Sequence, residues 1–156
     1  MAVPMDRHTL VSTSVAEADM GGVASNLLRE LASAPKETAA VITLTGNLGA
    51  GKTTLVQSIA RALGVSEVVT SPTFVVMKSY QTTHAVFTTL VHIDAYRIDD
   101  VAELEVLHFK ELLATQNTLI CIEWPERIMN AIPNGPIEVS LDLNPAGTRT
   151  ISYYGY

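Results

Sequence analysis

The octapeptide Gly46-Asn47-Leu48-Gly49-Ala50-Gly51-Lys52-Thr53 constrains this chain more than any other feature. It has the form G-x-x-x-x-G-K-[ST]. Glycines permit backbone turns that a side chain would block, so successive N–H groups converge into a nest for an anion. Lys52 adds a point charge suited to β- and γ-phosphates, and Thr53 a hydroxyl suited to Mg²⁺. The flanks agree with this reading. Residues 39–44 (AAVITL) are a continuous apolar run rich in β-branched side chains, the pattern of a buried central strand. Residues 53–63 read as a helix with Gly64 as its stop. Strand, glycine-rich turn and helix N-terminus together make a phosphate loop, whose helix dipole also favours an anion. Asn47 through Lys52, Thr53 and the following Thr54 are therefore candidate nucleotide contacts, with Thr53 a candidate metal ligand.

The remaining segments fill in an α/β layer fold. Residues 8–13 alternate weakly, as a short strand does. In residues 16–31 the apolar positions Met20, Val23, Ala24, Leu27, Leu28 and Leu31 follow helical spacing. Residues 68–80 are a mixed segment broken by Pro72, β-like from 74 to 80, and residues 85–93 form another β-like run. Residues 101–113 have helical spacing, and residues 118–122 (TLICI) are a short buried-type strand. Pro125 and Pro133 bracket a connector. Residues 137–143 alternate cleanly and residues 148–154 are a plausible last strand, giving a terminal hairpin across 144–147. Buried-type strands alternating with helices predict a central, mostly parallel sheet flanked by helices, closed by this C-terminal β-hairpin.

Composition sets the outer bounds. With 156 residues the chain fits one domain, spanning 1–156 with residues 1–8 expected to be flexible. Hydrophobic residues at 47% against charged residues at 17% exclude a disordered tail or coiled coil. A net charge of −6 argues against coating a nucleic-acid backbone and against anionic membrane surfaces. The single cysteine, Cys121, excludes a disulfide framework and a Cys-rich zinc site. No apolar run approaches the roughly 18 residues of a membrane span, and the N-terminus has no apolar signal region. A cytoplasmic protein is expected.

A phosphate loop normally shares Mg²⁺ with a carboxylate at a strand end. Two strands qualify: residues 118–122 lead into Glu123, and residues 89–93 lead into Asp94. On pattern alone neither takes precedence; one would hold the metal while the other orients water or senses the γ-phosphate. Trp124, the only tryptophan, follows Glu123, and a lone Trp more often packs than binds. His92 more often packs or hydrogen-bonds than ligates. Residues 70–73 (TSPT) read either as a simple turn or as a switch segment whose hydroxyls meet the γ-phosphate or the metal.

Taken in order, GNLGAGKTTL, TSPTF with the later Tyr80, HIDAYR (92–97), ELEVL (103–107) and IEWPE (122–126) resemble the bacterial TsaE (YjeE) family over about residues 20–149. These are small P-loop ATPases of tRNA threonylcarbamoyladenosine synthesis. The resemblance implies a single α/β P-loop domain that binds ATP and Mg²⁺ at a TsaB–TsaD heterodimer. It hydrolyses ATP to permit repeated turnover and meets tRNA only indirectly. It implies that Lys52 contacts phosphates, Thr53 and Glu123 hold the metal, and Asp94 serves hydrolysis together with Glu123. Thr73 falls in the switch-like segment, Trp124 matches the family's Trp beside the acid, and Arg149 matches a late Arg that touches the nucleotide. His108 departs from the pattern, since relatives commonly have Gly after the ELE-x-x segment.

Three other readings compete. A small-molecule kinase would share the loop but usually clamps its substrate with an Arg-rich lid, and the arginines here are scattered. A GTPase switch would need an N-K-x-D motif, which is absent, and the one D-x-x-G, residues 19–22, precedes the loop. A nucleotide-binding scaffold without useful turnover is a third reading: both acids and the lysine are present, so nothing marks a dead site, yet ATP could act mainly as an assembly switch with hydrolysis slow until partners arrive.

Overall fold

The computed structural model describes residues 8–16, 19–33, 37–72, 75–132 and 135–155. The expectation of flexibility for residues 1–8 falls outside them except at His8, which opens a strand, and the assignments of Thr73 and Pro133 fall outside them. The described residues form one seven-stranded sheet in the order β1-β7-β6-β2-β5-β4-β3. Its strands are β1 (His8–Val15), β2 (Ala40–Thr45), β3 (Met77–Gln81), β4 (Thr89–Asp94), β5 (Thr118–Glu123), β6 (Ile137–Leu143) and β7 (Arg149–Gly155). The four central strands β6, β2, β5 and β4 run parallel, as the apolar runs predict. Antiparallel pairings extend the sheet at both edges: β3 on β4 at one, and β7 on β6 then β1 on β7 at the other.

Two helices cover one face. Helix α1 (Met20–Ala32) buries Met20, Val23, Ala24, Leu27, Leu28 and Leu31, the very stripe that helical spacing picks out. Each of these side chains except Ala24, fully buried, contributes about 1.5–3 kcal/mol. Helix α2 (Lys52–Ala62) buries Leu55, Val56 and Ile59 beside it. These side chains meet Ile42 and Leu44 of β2 with Leu90, Leu119 and Cys121 in one apolar cluster. The opposite sheet face, with Val41, Val91, Ile93, Ile120 and Ile122, packs against Leu104, Phe109 and Ile128. Strand alternation thus assigns Leu90, His92 and Asp94 of β4, and Leu119, Cys121 and Glu123 of β5, to the α2 face.

Two expectations need correction. The helical spacing over residues 101–113 becomes two short helices, α3 (Glu103–Val106) and α4 (Phe109–Leu113). They are separated by His108, which sits in the left-handed region at φ 55° and ψ 43°. The backbone turns there because both short helices must lay apolar residues on the same sheet face. The β-like run over 85–93 narrows to β4 from Thr89, since Thr82 and Thr88 instead close a turn through a backbone hydrogen bond of 3.1 Å. The hairpin forms as expected, and Asn144 ties its ends: its amide donates to Thr148 Oγ1 at 3.0 Å, and its carbonyl oxygen accepts from Thr150 Oγ1 at 3.1 Å.

His108 makes the left-handed turn at a cost of about 1–2 kcal/mol for a residue with a Cβ. His108→Gly is expected to raise the unfolding free energy by about 0.5–1 kcal/mol, whereas the β-branched His108→Val lowers it by about 1 kcal/mol. Urea denaturation with an unchanged slope checks both.

Candidate functional site

The site is a consequence of register. Leu44 of β2 pairs with Glu123 of β5, and Glu123 with Asp94 of β4, so three carboxyl-end residues stand side by side. The chain leaving β2 folds back over these ends as the loop 46–51 before α2 begins. Gly46 has φ 151° and sits so close to β6 that an added Cβ would lie 2.5 Å from the Leu141 carbonyl oxygen. Gly51 has φ 104°, and a Cβ there would meet Met20 at 3.1 Å. Glycine therefore suits both positions by conformation, and at Gly46 the space also demands it. Ala50 is buried, and its N–H donates to the Asn47 carbonyl at 3.0 Å.

Lys52 opens α2 and is buried. Its Nζ donates to the carbonyls of Gly46 at 2.5 Å and Asn47 at 3.3 Å. The same ammonium lies 4.3 Å from the centroid of the Trp124 ring, a cation–π contact. Burial pulls the Lys52 pKa below the ordinary lysine value, and the charges of Glu123, Glu126 and Asp94 oppose that pull. The Thr53 hydroxyl donates to the Glu123 carboxylate, 3.1 Å from Oε1 and 3.3 Å from Oε2. On its other side Glu123 Oε2 lies 2.5 Å from His92 Nε2. Asp94 is buried beside Glu123, and its Oδ1 accepts from the Tyr96 N–H at 3.0 Å.

Trp124 has φ 57°, so the chain turns sharply after Glu123 and brings the indole back over Lys52. Tyr96 leans on it, with ring centroids 5.1 Å apart at 55°, and the Arg127 guanidinium lies 5.7 Å from the Tyr96 ring. Arg149, first residue of β7, reaches the loop from the hairpin; its Nη1 donates to the Gly147 carbonyl at 3.2 Å.

These groups line a cleft of about 320 Å³. Its walls include Leu48, Gly49, Gly51, Lys52, Thr53, Thr54, Ser71, Asp94, Glu123, Trp124 and Arg149. The structure thus brings together most of the residues singled out from sequence. Asn47 and Ala50 belong to the loop without lining the cleft; Asn47 contributes a carbonyl and Ala50 packs inward. Thr73 lies outside the described residues, although Ser71 of the same segment reaches the cleft. A larger cavity of about 660 Å³, between α3, α4 and residues 130–131, contains none of the candidates. Sequence reasoning missed the aromatic contact of Tyr96 and did not connect His92 to Glu123. The readable signal for both was their place in HIDAYR, two residues either side of Asp94.

The oxygen donors of Thr53 and Glu123 suit a hard cation such as Mg²⁺, which takes one or two protein ligands and fills its shell with water and phosphate oxygens. No cluster of three or more His, Cys, Asp or Glu side chains able to hold a metal occurs among the described residues.

A strand, glycine loop and helix at the centre of a parallel sheet, with a lysine, a threonine and strand-end carboxylates converging there, define a P-loop NTPase fold. Comparison with known proteins narrows the class. The family model described as threonylcarbamoyl adenosine biosynthesis protein TsaE matches residues 16–151, and the chain belongs to that family. A TsaE named for tRNA threonylcarbamoyladenosine biosynthesis in Treponema pallidum is 35% identical over 117 residues, covering 74% of this chain and 82% of that protein. The Bacillus subtilis counterpart is 34% identical over 113 residues (72% and 68%), and that of a Nostoc species 37% over 111 (70% and 66%). The crystal structure of Bacillus subtilis YdiB superposes with a TM-score of 0.70, covering 99% of this chain and 88% of YdiB at 24% identity, a likeness of fold. No helix among the described residues is long and apolar enough to cross a membrane.

The Gly46 contact makes a direct test. Gly46→Ala is expected to lower stability by about 1–3 kcal/mol, because the new methyl must displace either the loop or the β6 backbone. Denaturant unfolding that leaves the midpoint unchanged would show that the loop can relax without cost.

Proposed function

We propose that the chain is an ATP-binding and ATP-hydrolysing subunit of tRNA threonylcarbamoyladenosine synthesis. In this reading it binds a TsaB–TsaD transferase pair, resets it after each round, and meets tRNA only through it. One observation carries the nucleotide half of this reading: the Thr53 hydroxyl and the Glu123 carboxylate meet 3.1 Å apart at the mouth of the loop that Lys52 begins to close. Membership of the TsaE family supports the pathway, and the acidic balance of the chain suits docking on proteins rather than coating RNA.

The chain's own groups would act as follows. The loop N–H groups and the positive end of α2 bind the phosphates. Lys52 exchanges its carbonyl partners for phosphate oxygens, a move favoured by its charge and its short reach. Thr53 and Glu123 would hold Mg²⁺, whose chemistry when bound would be charge neutralisation at the phosphates. Asp94, fixed by the Tyr96 N–H, orients the attacking water next to Glu123. Trp124 and Tyr96 shield this end of the cleft, and Arg149 contacts the nucleotide from the hairpin. Thr73 of the switch-like segment joins the nucleotide contacts.

Two measurements test the reading. Lys52→Ala is expected to abolish ATP binding by calorimetry. In a magnesium titration Glu123→Ala should weaken Mg²⁺-dependent ATP binding by more than about tenfold, a larger loss than Asp94→Ala gives; the reverse order would exchange the roles of the two acids.

Phosphate release from Mg-ATP by the purified chain should be slow alone and rise at least tenfold when the TsaB–TsaD pair of the same organism is added. Release indifferent to that pair would leave a plain ATPase, or a kinase lacking its acceptor, as the better reading.

A further inference from the structure

His92 is an unusual residue for the middle of a parallel sheet. It is fully buried, and its register partner on β5 is Cys121. An apolar side chain of similar volume would serve the core better, because a buried imidazole costs free energy unless its polar atoms are satisfied. Only one of them is. Nε2 lies 2.5 Å from Glu123 Oε2, while Nδ1 is buried with no hydrogen-bond partner among the described residues. A proton on Nδ1 would have no acceptor, so the network assigns the ring proton to Nε2, where it is donated to the carboxylate.

Glu123 in turn has a long side chain whose terminal torsion is intrinsically broad. With Oε2 anchored by His92, that torsion is fixed and Oε1 is left 3.1 Å from the Thr53 hydroxyl. The anchor comes from below, within the sheet, on the face that both strands share.

We propose that His92 is a positioning residue: its Nε2–H locks the Glu123 carboxylate so that the remaining oxygen and the Thr53 hydroxyl present a preformed pair of oxygen ligands to a divalent cation. This rests on the reading of Thr53 and Glu123 as the cation ligands. Outer partners of this kind set metal affinity by orienting the ligand, and their loss typically costs about 10–100-fold.

The test is the gain in ATP affinity on adding Mg²⁺, measured by calorimetry with and without the metal. His92→Leu fills the space without a donor. It should reduce that gain about tenfold while leaving metal-free ATP affinity within twofold of the parent. His92→Gln keeps an N–H donor of similar reach and should restore the gain to within about threefold. Long-range proton–nitrogen NMR of the unaltered chain should place the ring proton on Nε2, and this readout stands even if the leucine variant does not fold. A ring proton on Nδ1, a gain unchanged in His92→Leu, or a glutamine variant as impaired as the leucine one would each overturn the proposal. Glu123→Ala separates the two levels. If it abolishes the gain while His92→Leu does not, only the positioning role fails; if it too leaves the gain intact, the cation-ligand reading falls and the positioning role with it.

Discussion

Parallel pairing of β2 with β5 and of β5 with β4 is the constraint on which the rest depends, because it delivers Leu44, Glu123 and Asp94 to one sheet edge in register. A slip of one residue in β5 would send Glu123 to the opposite face, since side chains alternate. A slip would place Glu123 among the apolar side chains of the opposite face, away from Thr53 and His92, and the cost of an unpaired buried carboxylate holds the register. Leu119 and Cys121 lie on the α2 side while Ile120 and Ile122 lie on the other, and both sets are fully buried. The same burial that stabilises the sheet therefore aims the carboxylate.

Two buried acids side by side are an electrostatic burden that the neighbouring groups offset. Glu123 takes hydrogen bonds from Thr53 and His92, and Asp94 takes one from the Tyr96 N–H. Lys52 supplies the nearby positive charge, yet its own burial works against it, as its lowered pKa records. Its ammonium is held instead by the Gly46 and Asn47 carbonyls and the Trp124 ring. Those are neutral partners. An anion entering the cleft would offer Lys52 a full opposite charge in place of these dipoles, an attraction that grows where water is excluded. The loop is thus arranged so that phosphate competes against neutral hydrogen-bond partners.

Much of this was legible in the sequence because it is local or periodic. The stripe of α1 appears at helical spacing and is buried as a whole, and the loop, its strand and its helix are written in sequence order. What stayed hidden was either non-local or conformational. Pairing of β1 with β7 joins the two ends of the described chain, and nothing in either strand names the other. The break between α3 and α4 is invisible to periodicity, because one left-handed residue changes direction without disturbing the apolar count. His92 and Glu123 lie 31 positions apart, and only the strand register makes them neighbours. Nor could the pattern show which of the two strand-end acids meets the Thr53 hydroxyl; it is Glu123.

Two of the four non-glycine residues with positive φ among the described residues stand where the site is built. Trp124 and Val76 both have positive φ, at 57° and 68°, and both are bulky residues for which that region costs about 1–3 kcal/mol. Each stands next to one of the acids. The Val76 carbonyl accepts the Asp94 N–H at 2.8 Å, so its unusual turn supplies the backbone partner for the end of β4. The turn at Trp124 stops β5 immediately after Glu123 and returns the indole over Lys52. A relaxed backbone at Trp124 would continue β5 and carry the indole away from Lys52. The two strained residues persist because the apolar clusters on both sheet faces hold β4 and β5 in place, and the stability they cost is converted into the placement of the carboxylates and the ring.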